Sequence, residues 1–217
     1  MSPGPASTPM VLYTYFRSSA AFRARIALNL KGLKPLQVFV HLRRHEQRAD
    51  AYRAINPQAV IPTLVHEGHA IGQSLAIIEY LDEIAPNPPL LPADPFGRAR
   101  VRQIAQIVAC EIHSLGNMRV QEYLRDTLGR GEAEILAWHR HWIALGLDAI
   151  EQLVGSGRFC YGDGPTLADI CLIPQLANAR RAEMDLAPYP ALLRIEAAAF
   201  ELAAFADALP KNQPDAE

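Results

Sequence analysis

The fold of this 217-residue chain is decided by two stretches, NPQAVIPTL at residues 56–64 and GQSLAIIEYL at residues 72–81. Pro62 holds the residue before it in extended geometry, so the first stretch predicts a turn that leads into a short strand. Ser74 precedes an apolar run with helical spacing, which indicates a helix start whose first backbone N–H groups are open to an anion. Many α/β domains contain such a strand–turn–helix, so the rest of the chain has to narrow the choice.

Strands and helices alternate over the first part of the chain. We expect strands at residues 11–16, 36–40, 63–65 and 69–71. We expect helices at residues 21–31, 49–55 and 74–83. This order predicts a mixed sheet with helices on its faces, as in a thioredoxin-like domain.

A proline-rich stretch divides the chain. Residues 85–95 contain five prolines, which exclude a helix or a central strand and indicate a linker. The later pattern is helical, with helices expected at residues 97–127, at 132–154, from the capping box 166–169 with a bend at Pro174, and at 191–208. The predicted organisation is α/β plus all-α, with a flexible leader 1–9, an α/β domain 10–85, a linker 86–95, an all-helical domain 96–209 and a tail 210–217.

Composition argues against several classes of function. A net charge of −2 and an isoelectric point near 6.4 predict no nucleic-acid partner and no membrane partner. No apolar run approaches the ~20 residues of a membrane helix, and the leader lacks the features of a signal peptide. The three cysteines form no C-x-x-C pair, so we expect no disulfide framework, no metal site and a cytoplasmic location.

The predicted first domain contains no cysteine, which excludes thioredoxin-like redox chemistry by the protein itself. If thiol chemistry occurs, a cofactor has to bring the thiol, and glutathione is the natural candidate. The loop after the first strand places Ser18 and Ser19 at a helix start. Each serine is able to cap the helix or to hydrogen-bond an incoming thiolate, and the sequence leaves both roles open.

Five motifs are spread over both predicted domains: SSAAFRARIAL at 18–28, the region of Pro62, QSLAIIE at 73–79, PQLANARR at 174–181 and DLAPYP at 185–190. Together they resemble the zeta class of glutathione transferases. This class includes maleylacetoacetate isomerase and the bacterial maleylpyruvate isomerases, and the likeness extends over residues 11–209. The resemblance implies the glutathione transferase fold, glutathione as cofactor and a homodimer.

The same resemblance implies roles for individual residues. The Ile61–Pro62 bond is expected to be cis, and glutathione is expected to contact Gln58, Ile61, Pro62, Gln73, Ser74, His113 and Asn117. The thiolate is expected at Ser18, with Ser19 and Arg17 as further catalytic residues. The substrate carboxylates are expected to bind Arg17, Arg119 and Arg181, at the mouth between the domains.

Two departures from the class pattern stand out. The zeta signature usually has cysteine after the second serine, where this chain has Ala20. Some maleylpyruvate isomerases also lack that cysteine, so its absence weakens the choice of maleylacetoacetate without excluding isomerisation. Bacterial relatives also typically carry proline and asparagine where Ser114 and Gly116 stand here.

The implied activity is the isomerisation of maleylacetoacetate to fumarylacetoacetate in aromatic compound catabolism. The thiolate of glutathione would add to the cis double bond, the resulting single bond would rotate, and expulsion of the thiolate would leave the trans product. Maleylpyruvate is the alternative substrate. A general glutathione transferase or peroxidase for detoxification and a non-catalytic binding module are further alternatives, because fold alone does not separate them.

Overall fold

The computed structural model describes residues 9–217, so residues 1–8 of the predicted leader lie outside the described residues. The chain forms two compact units. The first contains the chain up to Pro88 together with Ala203–Glu217, and the second is Pro89–Leu202.

A four-stranded mixed sheet forms the centre of the first unit. Its strands are β1 (Val11–Thr14), β2 (Leu36–Phe39), β3 (Thr63–His66) and β4 (His69–Gly72), in the order β2-β1-β3-β4. Strand β1 is parallel to β2, while β3 is antiparallel to both β1 and β4. Leu12 and Leu64, which are paired across the two inner strands, are fully buried. The predicted mixed sheet is confirmed.

Three helices complete the first part of this unit: α1 (Ser19–Leu30), α2 (Asp50–Arg53) and α3 (Ser74–Ile84). Short 3₁₀ turns at Leu42–Arg44 and Glu46–Arg48 precede α2. Helix α1 packs against α3, and Ala21, Ala24 and Ala27 of α1 are fully buried. Residues 19–28 are all buried, so neighbouring elements enclose α1 on all sides over most of its length.

The structure shortens β1 and lengthens α1 relative to the prediction. Strand β1 ends at Thr14 because Tyr15 already belongs to a turn, in which its carbonyl oxygen accepts from the N–H of Ser18 at 3.0 Å. Helix α1 begins at Ser19 because the hydroxyl of Ser18 caps it by accepting from Ala21 N–H at 3.1 Å.

The second unit is helical. Its elements are α4 (Pro95–Gln106), a π-helical segment (Ile107–Ile112), α5 (His113–Gly116), α6 (Met118–Glu122), a second π-helical segment (Tyr123–Thr127), α7 (Glu132–Leu153), α8 (Leu167–Arg181) and α9 (Pro190–Phe200). The expected single helix over 97–127 is wrong in one respect. Asn117 has extended backbone angles and caps α6 with its side chain, which interrupts the helix.

Helix α8 is the core of the second unit, since most of its residues are buried. The predicted capping box is confirmed: the carboxylate of Asp169 accepts from Thr166 N–H and from the Thr166 hydroxyl, both at 2.8 Å. It also accepts from Cys160 N–H at 2.7 Å, which ties the preceding loop to the helix start. Pro174 lies inside α8.

The segment Ala203–Glu217 contains α10 (Ala203–Ala206) and a 3₁₀ turn at Pro210–Asn212. The expected helix over 191–208 is therefore divided, since α9 ends at Phe200. The structure groups this segment with the first unit, because Arg25 and Asn29 of α1 donate hydrogen bonds to its backbone carbonyls. The domain boundaries expected from sequence, with 96–209 helical and 210–217 a tail, differ from this grouping and stay a prediction.

Candidate active site

Ser18 is a helix cap with a hydroxyl proton still to donate. Its oxygen accepts from Ala21 N–H, and its backbone carbonyl accepts from Phe22 N–H at 2.8 Å. A serine hydroxyl has one donor and two acceptor positions, so capping leaves the proton available. Among residues 9–217 that proton has no acceptor, and the side chain is half-buried. Ser19 follows as the buried first residue of α1, and Ala20 beside it is also buried.

The loop before β3 exposes an unused stretch of backbone. The Ile61–Pro62 peptide bond is cis, as expected. Within the described part of the chain, neither the N–H nor the carbonyl of Ile61 has a hydrogen-bond partner, although the residue is only 6% exposed. Unpaired backbone groups near the interior are rare, so this residue is ready to bind a peptide-like ligand in the manner of a short strand.

A buried network holds that loop in place. The Tyr52 hydroxyl lies 2.7 Å from both Val60 O and the Thr63 hydroxyl. The side-chain amide of Asn56 donates to the same two oxygens, at 3.0 Å and 2.8 Å. Because both neighbours of the Ile61–Pro62 pair are fixed, the open groups of Ile61 are pre-oriented. Sequence reasoning missed Tyr52 and Asn56 in this role, although Asn56 stands at the beginning of the decisive stretch.

Two glutamines join this loop to the start of α3. The side-chain amide of Gln73 donates to the side-chain oxygen of Gln58 at 2.7 Å, and both side chains are exposed. Gln73 is the N-cap residue of α3 and has a positive φ of 65°. A positive φ is unusual for a residue other than glycine, and such strain is concentrated at ligand-binding sites.

The first turn of α3 presents open backbone N–H groups. Ser74, Leu75 and Ala76 carry backbone N–H groups that have no acceptor among residues 9–217, whereas Ile77 N–H bonds to Gln73 O at 3.0 Å. The Ser74 hydroxyl accepts from Arg23 Nη1 at 3.3 Å, and both residues are buried. Open N–H groups, the helix dipole and a nearby guanidinium all favour a negatively charged ligand group.

Together these groups fit a small peptide that carries a thiol and a carboxylate. The Ser18 proton suits the thiolate, the backbone of Ile61 suits a peptide unit, and the α3 start with Gln73 and Ser74 suits the carboxylate. Each fit depends on groups that the fold leaves open. The described part of the first unit therefore supplies the parts of a glutathione site, and it contains no cysteine of its own.

The remaining expected glutathione contacts lie in the second unit. His113 begins α5 and is half-buried. Asn117 accepts from Val120 N–H at 3.2 Å and donates one amide hydrogen to Ser114 O at 2.9 Å. An asparagine amide has two donors, so one hydrogen of Asn117 remains for a ligand.

The expected substrate arginines are divided between the two units. Arg17 belongs to the first unit, while Arg119 on α6 and Arg181 at the end of α8 belong to the second. Arg119 is exposed. Arg180, which the motif leaves without a role, instead forms a two-pronged ion pair with Glu196. That the three arginines meet at one mouth stays a prediction.

Within the second unit, His139 lies close enough to Arg181 to feel its charge, and sequence reasoning missed this neighbour. Arg181 donates to the side-chain oxygen of Asn178. Burial lowers the pKa of His139, and the nearby positive charge of Arg181 lowers it further. His139 has room beside Gly116 because glycine has no side chain. A Cβ at Gly116 would lie only 2.5 Å from the imidazole Cδ2 of His139. The glycine that departs from the class pattern thus makes room for this histidine.

Residues 9–217 contain no helix that is both long enough and apolar enough to cross a membrane. No group of three or more histidine, cysteine, aspartate or glutamate side chains in those residues is placed to hold a metal ion.

A mixed four-stranded sheet with a cis-proline loop hydrogen-bonded to a helix start, together with an all-helical unit, defines a glutathione transferase. Family models agree: "Glutathione S-transferase, N-terminal domain" matches residues 12–89 and "Glutathione S-transferase, C-terminal domain" matches residues 143–198. Maleylpyruvate isomerase of Ralstonia sp is 49% identical, with 95% of this chain and 99% of that protein covered.

Solved structures narrow the class. A holo structure described as maleyl pyruvate isomerase, a bacterial zeta-class glutathione transferase, superposes with a TM-score of 0.93 at 48% identity, covering 95% of this chain and all of that one. Maleylacetoacetate isomerase of Anaeromyxobacter dehalogenans, crystallised with glutathione in its active site, has a TM-score of 0.88 at 45% identity, covering 97% and 99%. The chain belongs to the glutathione transferase family, and its structural neighbours are of the zeta class.

Proposed function

We propose that this protein is a glutathione-dependent cis–trans isomerase that converts maleylacetoacetate to fumarylacetoacetate. The observation that carries the proposal is a peptide- and anion-binding site in a unit that has no cysteine of its own. An enzyme with such a site has to obtain its thiol from the bound ligand. The maleyl substrate is supported by what the relatives are named, and by the arginines at positions 17, 119 and 181.

Ser18 is proposed to hold the reacting sulfur as a thiolate. Bound glutathione supplies a sulfur nucleophile that adds reversibly to the cis double bond and so frees it to rotate. Ser18 donates its hydroxyl proton to that sulfur, and the N-terminus of α1 favours its negative charge. Ser19 and Arg17 are the further catalytic candidates at the same loop. Because Ser18 is locked as the cap of α1, its donor needs little reorganisation during the reaction.

The rest of the first unit is proposed to orient glutathione. The backbone of Ile61 pairs with its peptide, while Gln58, Gln73 and Ser74 hold its γ-glutamyl end. Pro62 keeps the Ile61 backbone turned toward the ligand. From the second unit, His113 and the spare amide hydrogen of Asn117 add contacts.

The three arginines are proposed to bind the carboxylates of the substrate and the negative charge that develops during addition. Arginine suits this task because its planar fork matches a carboxylate and its charge does not depend on pH. Arg119 and Arg181 stand in the second unit and Arg17 in the first. A general transferase for neutral electrophiles has no need of such a set.

A second candidate substrate is maleylpyruvate. Two observations favour it: the Ralstonia relative at 49% identity carries that name, and Ala20 replaces the cysteine usual in the zeta signature. The same thiolate chemistry applies to both diketo acids, which differ in the group beyond the double bond.

The proposed assembly is a homodimer in the cytoplasm. Family analogy supports the dimer, and the three cysteines, all free, suit a reducing compartment. The boundaries 10–85 for the glutathione-binding domain and 96–209 for the substrate domain belong to the same proposal. Light scattering on the purified protein tests the dimer, which a monomer mass would contradict.

An ultraviolet assay tests the proposed reaction. Purified protein is mixed with glutathione and with either maleylacetoacetate or maleylpyruvate, and kcat/KM is compared. We expect turnover of both, with maleylacetoacetate preferred. Preference for maleylpyruvate would select the second candidate. No turnover of either, combined with conjugation of neutral electrophiles, would favour a detoxifying transferase.

A further inference from the structure

Arg25 binds three consecutive residues on the way from β1 to the Ser18 loop. Its guanidinium donates to the Thr14 hydroxyl at 3.2 Å, to Tyr15 O at 3.4 Å and to Phe16 O at 3.2 Å. Two further bonds, at 3.3 Å and 3.2 Å, go to Ala208 O. A guanidinium has five N–H donors, so every donor of Arg25 is used.

These five hydrogen bonds offset the free-energy cost of burying the Arg25 charge. Arg25 is only 4% exposed, and burial lowers its pKa to about 10, while the negative charge of Asp215 acts in the opposite direction. A buried charge has to be hydrogen-bonded, and all five donors of Arg25 meet this condition. Removing an acceptor would leave a charged donor without a partner, so the set of contacts is mutually dependent.

The side chain of Asp215 binds the backbone of the same loop. One carboxylate oxygen accepts from Phe16 N–H at 2.9 Å, across 199 positions of sequence. The other oxygen is buried and has no hydrogen-bond partner within the described residues. Phe16 thus has its N–H bound to Asp215 and its carbonyl bound to Arg25, which fixes both sides of one residue.

The segment that carries Ala208 and Asp215 is itself well anchored. Phe205 is fully buried, and Asn29 of α1 donates to Ala204 O at 3.0 Å. Gln213 is 8% exposed and donates to Asp207 O and Leu209 O, which fixes the turn before Asp215. The segment is therefore a firm support for the loop.

One atom links this support to Ser18. Tyr15 O accepts from Arg25 and also from Ser18 N–H, the latter at 3.0 Å. Tyr15 and Phe16 further share a buried apolar cluster with Ile61, the residue before the cis-proline. Displacement of this backbone would move the Ser18 hydroxyl and disturb the packing behind Ile61.

We propose that Arg25 and Asp215 are positioning residues that hold the loop Tyr15–Ser18 against the segment Ala203–Glu217, so that Ser18 is aimed at the reacting sulfur. This inference rests on the proposed function of Ser18. It assigns a role in the reaction to a segment that lies far from the site in sequence. Neither residue touches glutathione or substrate in this account, because each acts through the backbone.

The test is Asp215→Ala in the full chain, with two readouts that do not require isomerisation. The first is ultraviolet titration of the thiol of bound glutathione, for which we expect the pKa to rise by roughly half a unit or more. The second is hydrogen exchange of residues 14–18 in the ligand-free protein, which we expect to become faster. For isomerisation, kcat should fall by roughly three- to tenfold while KM for glutathione stays within about twofold.

Matched variants separate positioning from general stability. Asp215→Asn retains an oxygen that can accept from Phe16 N–H, so it should restore the thiol pKa and kcat. Asp215→Leu lacks an acceptor and should behave like the alanine variant, and it replaces that variant if alanine prevents folding. Asp207→Ala is the control, since Asp207 is an exposed carboxylate in the same segment and its hydrogen bonds among residues 9–217 are made by its backbone.

The outcomes are distinguishable. A lower melting temperature with unchanged thiol pKa and unchanged exchange at 14–18 would overturn the inference and leave Asp215 a structural residue. If the wild-type protein isomerises neither maleyl acid, the proposed function fails, yet thiol titration and exchange still decide whether Asp215 positions the loop.

Discussion

The two halves of the proposed reaction are built in different ways. In the first unit, the groups that fit glutathione are held in place by the fold: the backbone groups of Ile61 and the hydroxyl of Ser18, which caps α1. In the second unit, the proposed substrate contacts are long side chains at helix ends, such as exposed Arg119. The first kind of site is held by hydrogen bonds before any ligand binds, whereas the second depends on long charged side chains.

The two kinds of site should respond differently to mutation. A backbone site is disturbed chiefly through the residues that shape it, so replacements of Ser18 or Ser74 should affect glutathione and its thiol. An arginine site is disturbed directly, so replacement of Arg181 should affect acidic substrates selectively.

Ser18→Ala should lower kcat by about 100-fold, because one preorganised donor to a developing or resident negative charge contributes on this scale. Glutathione affinity should change less. Loss of the cap should also cost about 1 kcal/mol of stability. Initial rates, glutathione calorimetry and thermal unfolding give the three quantities.

Two replacements distinguish the cap from the donor. Ser18→Gly loses the hydroxyl but destabilises a helix start by only a few tenths of a kcal/mol, so it should be nearly as inactive as alanine and more stable. Ser18→Thr retains a hydroxyl, so it should keep both the helix cap and the donor to the sulfur. An active glycine variant would reduce Ser18 to a cap, and Ser19 would be the next residue to test.

Ser74→Ala should weaken glutathione binding by about 10- to 150-fold, which corresponds to the loss of a charged hydrogen bond of about 1.5–3 kcal/mol. Its hydroxyl accepts from buried Arg23 and stands at the anion-binding start of α3. Calorimetry provides the affinity, and exposed Ser156→Ala is the control. Unchanged affinity would remove Ser74 from the site.

Arg181→Met should raise KM for the maleyl substrate by roughly tenfold or more and leave a neutral chloronitrobenzene little affected, because only the acidic substrate loses a guanidinium partner for its carboxylate. Arg180→Met is the matched control next to it. Its loss breaks the ion pair with buried Glu196, so it should reduce stability without changing the ratio of the two KM values. Equal effects of Arg181→Met on both substrates would indicate disrupted packing.

His139→Gln should make stability less sensitive to acid. Burial and then Arg181 lower the pKa of His139 in the folded state. Below the ordinary value of about 6.5, the unfolded chain therefore binds more protons than the folded one, and stability is lost as the pH falls. Urea midpoints between pH 7 and 5 should fall less steeply in the variant than in the wild type.

The first unit was predictable because its signals are local. The residues around Pro62 and Ser74 predict a turn, a strand and a helix start by themselves, and α3 begins at Ser74 as expected. The glutamine pair Gln58–Gln73 and the Tyr52–Asn56 network were not predictable, since they depend on side chains meeting across the loop.

Long-range contacts account for the remaining differences. The break at Asn117 follows from a capping choice that helical periodicity does not reveal. The attachment of Ala203–Glu217 to the first unit depends on Arg25, which reads in sequence as one arginine among many. The pairing of Gly116 with His139 likewise joins two distant helices.

The central claim is that the thiol of the reaction is brought by glutathione into a unit that has none. The most direct measurement compares isomerisation of maleylacetoacetate with glutathione, with S-methylglutathione and with no peptide. We expect turnover only with glutathione, and competitive inhibition by S-methylglutathione, which keeps the carboxylates but has no free thiol. Turnover with S-methylglutathione, or without any peptide, would contradict it.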